Sequence, residues 1–178
     1  MKRLTWQEYK KLVDSQMLVM ADFIDKALRA HEKPGLFVRN ENGIIPFEEL
    51  YTSLQQHSKE EVESNQAIHD YLNDQEVPET DRQLFLSWCE SSQLSRSQAQ
   101  KVQDSIAMWV YKRNARRIFG AMEFCAQEHG LSYDDIYFTL SPEDRKIADY
   151  ISKEFSLERK PISSEEANEW LNRLLEED

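Results

Sequence analysis

The sequence predicts an all-α fold, an orthogonal bundle of about seven helices around one long central helix. Three observations lead to this prediction. Apolar residues recur at spacings of three and four along most of the chain, and several helix starts carry capping-box pairs. Glycine and proline are scarce, with 4 and 5 in 178 residues. Because that composition suits long helices and few tight turns, all-β and doubly wound α/β folds are disfavoured.

The central helix is predicted between Ser95 and His129. Ser95 and Gln98 form a capping box, and Gly130 follows the last apolar position. Gly120 costs about 1 kcal/mol relative to alanine inside a helix, so we expect it to mark a close crossing or a bend. The residues that share the apolar face of this helix are Met108, Tyr111, Ala115, Ile118, Met122, Cys125 and His129.

The other side of this helix is basic. Between residues 96 and 117 six basic residues stand against one acid, Asp104, so this stretch carries +5 and the remainder of the chain −16. One interpretation is a binding surface for phosphate, nucleic acid or an acidic partner. The favoured interpretation is internal pairing with the chain's own acidic helices. The candidate binding residues are Lys112, Arg113, Arg116 and Arg117.

The first helix is predicted from the Thr5–Glu8 capping box to about Glu32. After it, the turn signature at residues 40–43 predicts a small β-hairpin near 36–45. Pro46 then suits the first position of a further helix. This segment therefore predicts a helix–hairpin–helix joint.

The same joint resembles the calcium loop of the EF-hand family. The matching residues are Asn40, Asn42, Gly43, Ile45, Phe47, Glu49 and Leu50. Aligning Gly43 with the glycine of that family places Glu49 at the bidentate acid, so the resemblance implies a calcium site at 38–49. The first ligand of the family falls on Val38, and the sequence has no second loop. These departures favour the helix–hairpin–helix interpretation.

A second resemblance lies in residues 140–151, LSPEDRKIADYI. This segment is similar to the opening helix of the DNA-binding domain in the RpiR family of sugar-responsive transcription regulators. The segment that follows is acidic, which does not suit an element facing phosphate groups. The sequence therefore does not predict a DNA-binding domain here.

The predicted domain organisation is a helical domain over 1–160 and an amphipathic helix over 161–178. Apolar residues of the second segment are spaced for one helix face. Docking on the same domain is favoured, and the alternative is that Trp170 and Leu174 contact a partner.

Metal or thiol chemistry has one weak candidate. Cys125 and His129 stand four residues apart on one helix, which could give two metal ligands or a thiol beside an imidazole. A buried thiol and a histidine at a helix end explain them more simply. Cys89 and Cys125 lack disulfide-framework spacing, so both are predicted to be buried free thiols in the cytoplasm. No signal peptide, membrane span or cofactor is predicted.

Catalytic and phosphate-binding motifs are absent from the sequence. With a net charge of −11, the leading hypothesis is a non-enzymatic protein-binding regulator or inhibitor with an acidic surface, of the phage or plasmid accessory or immunity type. Its partner would be another protein, one of basic character. The first alternative is nucleic-acid binding through the basic cluster. The second is a metal- or thiol-dependent enzyme at Cys125 and His129.

Overall fold

A computed structural model describes residues 3–91 and 94–157. Within these residues the chain forms seven α-helices and no strand, which confirms the predicted all-α bundle. The helices are α1 (Trp6–Ala30), α2 (Pro46–Glu61), α3 (Asn65–Asn73), α4 (Glu79–Ser91), α5 (Arg96–Glu128), α6 (Tyr133–Thr139) and α7 (Pro142–Glu154).

Helix α5 is the centre of the bundle, as predicted. It spans 33 residues, about 50 Å at the usual rise per residue, and it packs against α1, α2, α3 and α4. Its capping box forms: the Gln98 amide donates to Ser95 Oγ at 3.2 Å, and the Ser95 amide donates to Gln98 Oε1 at 3.1 Å. The close crossing expected at Gly120 is wrong, because a Cβ added there would meet no atom within 4 Å beyond the neighbouring backbone of α5 itself.

The apolar interior is divided into two cores. The larger core joins α1, α2, the second half of α5, α6 and α7, with Met17 and Phe119 fully buried. The smaller core joins α3, α4 and the first half of α5, and it includes Phe85. The boundary crosses α5 between Val110, which belongs to the smaller core, and Tyr111, which belongs to the larger. The two cores therefore meet along the middle of α5.

The small β-hairpin predicted near 36–45 is not present. The turn itself forms, with the Gly43 amide donating to the Asn40 carbonyl at 2.9 Å. The backbone before it has other partners: the carbonyl of the buried Leu36 accepts from the Phe47 amide at 3.1 Å, at the start of α2. Because these groups serve the helix and the core, no strand ladder continues from the turn.

None of the helices in the described part of the chain is both long and apolar enough to cross a membrane. The predicted C-terminal helix over 161–178, with its candidate contact residues Trp170 and Leu174, lies outside the described residues.

Candidate protein-binding groove

Arg113 and Arg117 of the predicted basic cluster pair with acids of the same chain. Arg113 donates to Glu61 at 2.5 Å and to Asp70 at 3.0 Å, so its guanidinium bridges α2 and α3. Arg117 approaches the same Glu61 carboxylate at 3.5 Å. This half of the cluster therefore joins the helices that pack on α5.

Lys112 and Arg116 form the other half of the cluster. Both approach the carboxylate of Glu76, at 3.9 and 3.7 Å, in the loop between α3 and α4. All four candidate cations thus lie beside an acid of the segment 61–76, which is the internal pairing favoured from the sequence. An arriving phosphate would have to compete with carboxylates that are already in place.

Trp109 shows that this face of α5 belongs to the scaffold. The guanidinium of Arg113 stacks 4.6 Å from its ring centroid, and its indole nitrogen donates to Asp74 at 2.7 Å. Partial burial alone would raise the pKa of Asp74. Hydrogen bonds from the Glu76 amide and the Trp109 indole outweigh it and lower the pKa of Asp74 below its ordinary value.

Cys125 and His129 do not converge on a site. Cys125 is half-buried, and burial together with Glu128 raises the pKa of its thiol, whereas a nucleophilic cysteine needs a lowered pKa. His129 caps the exposed end of α5. Among the described residues no three His, Cys, Asp or Glu side chains are grouped closely enough to hold a metal ion. The predicted burial of both thiols is wrong for Cys89, which is exposed.

The loop that resembles an EF-hand is held by its own hydrogen bonds. Asn40 Oδ1 accepts from the amides of Asn42 and Ile44, both at 3.0 Å, which closes the turn. The Val38 side chain, at the position of the first calcium ligand, is 48% exposed and apolar. The loop therefore folds without recruiting an oxygen at that position.

A groove runs along the first half of α5. Two cavities of about 450 and 410 Å³ adjoin here and share four lining residues, Trp6, Val62, Glu63 and Ala107; together they are called the Trp6 groove. Its remaining lining residues are Gln55, Ser58, Lys59, Ile68, Phe85, Trp88, Gln100, Val102, Gln103, Asp104, Ile106 and Tyr111.

Aromatic rings from both cores form the walls of this groove. Trp6, at the start of α1, packs edge-on against Tyr111 with ring centroids 5.2 Å apart. On the other side, Trp88 of α4 packs edge-on against Phe85 at 5.9 Å. Phe85 is buried, but Trp88 is 37% exposed, so an apolar wall remains open. The groove thus lies where the two cores meet and neither covers the surface completely.

The charges around the groove are mainly acidic. Glu63 is exposed and has no ion pair within the described residues. Asp104 accepts from Gln100 Nε2 at 2.8 Å and likewise faces no cation among them. Lys59 is the single basic lining residue of the two cavities. The groove therefore combines apolar walls with an excess of negative charge.

A separate cavity of about 420 Å³ lies between the start of α1, the loop before α4, and α5. Four of its polar side chains form one hydrogen-bonded network. Arg3 donates twice to Asp81, at 2.9 and 3.1 Å, and Ser105 Oγ lies 2.6 Å from the Tyr71 hydroxyl and 3.2 Å from Asp81. This cavity therefore offers a ligand fewer unused partners than the Trp6 groove does.

No protein-family model, curated protein or solved structure matches this chain. The groove and its charges are therefore the features from which a function is inferred. None of its residues was among the candidate binding residues of the sequence. The apolar spacing places Trp6 and Trp88 on helix faces but does not distinguish a covered face from an open one.

Proposed function

We propose that this chain is a non-enzymatic protein-binding regulator or inhibitor, which holds an apolar segment of a basic protein partner in the Trp6 groove. The observation that carries the proposal is an open aromatic wall beside acids that lack a cation. Partly exposed tryptophans at the edge of a cavity are typical anchors of protein interfaces. Enclosing one large apolar side chain contributes about 1.5–3 kcal/mol, which makes such a groove an effective docking site.

The groove chemistry supports binding rather than catalysis. Its lining contains no histidine or cysteine. Its one serine, Ser58, is buried and accepts from Asn114 Nδ2 at 3.1 Å, so it does not present an activated nucleophile. At Cys125 the raised pKa of the thiol removes support from the alternative enzyme hypothesis.

The charge balance supports a basic partner. Glu63 and Asp104 outnumber Lys59 around the groove, and the whole chain carries −11. Complementary charge speeds association and disfavours acidic competitors. The chain's own segment 158–178 contains seven acidic and three basic residues. That segment is therefore a poorer electrostatic match for the groove than a basic partner is.

The proposal is tested by photo-crosslinking in cells that express the full chain. A photoreactive phenylalanine analogue replaces Gln103, an exposed groove residue, and in a control variant it replaces Phe124, which is 58% exposed and outside the groove. We expect one protein to crosslink at position 103 through a segment rich in apolar and basic residues, and Trp88→Ala to reduce the yield. Equal crosslinking at both positions, or no adduct at position 103, would overturn the proposal.

A further inference from the structure

The groove has the length of a short helix. Along α5 its lining runs from Gln100 to Tyr111, which corresponds to about 16 Å at the helical rise per residue. Three turns of a second helix laid beside α5 cover the same distance. Ala107 lines both cavities, so one helix laid along α5 can contact the lining of both.

The backbone amides and carbonyls of the occupant also need hydrogen-bond partners. The described residues contain no strand, so the groove presents no sheet edge on which an extended peptide could add a ladder. Three of its polar side chains are already bonded within the chain: Gln55 donates to Tyr111 at 2.8 Å, Gln100 to Asp104 at 2.8 Å, and Ser58 accepts from Asn114. A helix makes its own backbone hydrogen bonds, so in such a groove only the groups of its first and last turns need other partners.

Charge is distributed unevenly along the groove. Asp104 lines the cavity beside α4, Lys59 lines the cavity beside α2, and Glu63 lies where the two join. Basic residues of an occupant are therefore best placed beside Asp104 and Glu63. The end beside Lys59 accepts neutral or acidic residues.

From these three features we infer that the partner segment is an amphipathic α-helix of about three turns. Its apolar residues lie at i, i+3 or i+4, and i+7, and its lysines or arginines lie beside Glu63 and Asp104. This inference rests on the proposed function and specifies the class of segment that the groove binds.

The experiment is a selection from a displayed library of random peptides of about 16 residues, long enough for three helical turns with flanks. The full chain is the target, and its Trp88→Ala variant is used for counter-selection. We expect the enriched peptides to share the helical apolar spacing with added lysine or arginine. A synthetic peptide of the enriched sequence should gain helical circular dichroism on binding, and proline at its centre should weaken binding at least tenfold.

Charge variants provide the matched comparison. Glu63→Lys should weaken binding of the enriched peptide about tenfold, whereas Glu41→Lys, an exposed loop position outside the groove, should leave it unchanged. Peptides that need Trp88 but lack the helical spacing and tolerate proline would overturn the helical inference alone. If no enriched peptide depends on Trp88 or Glu63, both the inference and the proposed function fail.

Discussion

Tyr111 of α5 donates its phenolic hydrogen to the carboxylate of Asp14 on α1. The same carboxylate accepts from the Tyr51 hydroxyl at 3.1 Å and from Lys10 Nζ at 2.9 Å, and Gln55 Nε2 donates to the Tyr111 oxygen at 2.8 Å. A partly buried charge is thereby satisfied by donors from α1, α2 and α5. This network joins three of the helices that enclose the larger core, beside the Trp6 groove.

Removing the Tyr111 hydroxyl should destabilise the fold. In Tyr111→Phe the Asp14 carboxylate loses a donor and Gln55 loses its acceptor, so we expect the free energy of unfolding to fall by about 1–2 kcal/mol. Urea denaturation followed by circular dichroism measures the change. The control is Tyr150→Phe, because Tyr150 is 58% exposed and its loss should be nearly neutral. Equal effects of the two substitutions would contradict a role for the network.

Stability should decline at alkaline pH because buried tyrosines resist ionisation. Burial and the nearby Glu154 raise the pKa of Tyr9 from 10.0 to about 12, although Arg116 acts in the opposite direction. Burial and Asp14 also raise the pKa of Tyr111. A group whose pKa is raised on folding contributes its full stability below its unfolded pKa and loses it as the pH rises through the folded value.

Urea midpoints measured from about pH 8 to pH 11, at constant ionic strength, test this expectation. The native chain should lose a little stability from about pH 9, the ordinary pKa of the Cys125 thiol, and should lose it more steeply above pH 10, the ordinary tyrosine pKa. Stability should fall less steeply with pH in Tyr9→Phe, because this variant lacks one of the tyrosines whose pKa is raised on folding. If the urea midpoint fell with pH equally steeply in the variant and the native chain, Tyr9 would not contribute to the pH dependence of stability.

The sequence predicts helix starts well because a cap is a local interaction. Ser95 and Gln98, three residues apart, are close enough to satisfy each other's amides wherever the helix packs, and the capping box forms as predicted. The β-hairpin near 36–45 fails for the opposite reason. Its turn is local, but a strand ladder needs free neighbouring groups, and the Leu36 carbonyl is taken by Phe47. Tertiary contacts decide that outcome.

The candidate site illustrates the same limit. The basic residues of α5 are conspicuous in sequence, yet the acids that pair with Arg113 lie 52 and 43 residues away, at Glu61 and Asp70. The Trp6 groove was not predicted because helices distant in sequence form its walls. Apolar spacing assigns Trp6 and Trp88 to helix faces. Whether a face is covered depends on where the two cores end.

Two glycines should respond oppositely to alanine. A Cβ at Gly35 would lie 2.0 Å from Asp25 Oδ1, so Gly35→Ala must displace a buried carboxylate that pairs with Arg29 at 2.9 Å. We expect a loss of about 1–3 kcal/mol. At Gly120, within α5, an added Cβ would meet nothing within 4 Å beyond the neighbouring backbone of its own helix, so Gly120→Ala should stabilise the chain by up to about 1 kcal/mol. Thermal and urea unfolding of both variants provide the measurement, and a stabilising Gly35→Ala would contradict the contact.

Arg113 should contribute more to stability than Lys112, although both belong to the basic cluster. The Arg113 side chain is 22% exposed and donates to Glu61 and Asp70 within hydrogen-bond distance, whereas Lys112 lies 3.9 Å from the exposed Glu76. We expect Arg113→Ala to lower the free energy of unfolding by about 1.5–3 kcal/mol and Lys112→Ala by about 0.5 kcal/mol or less. Urea unfolding at low salt and at about 1 M NaCl measures the loss of unfolding free energy in each variant. The loss in Lys112→Ala should disappear at high salt, because salt screens an exposed ion pair. If Arg113→Ala were as mild as Lys112→Ala, Arg113 would not be part of the scaffold, and the nucleic-acid alternative would regain support.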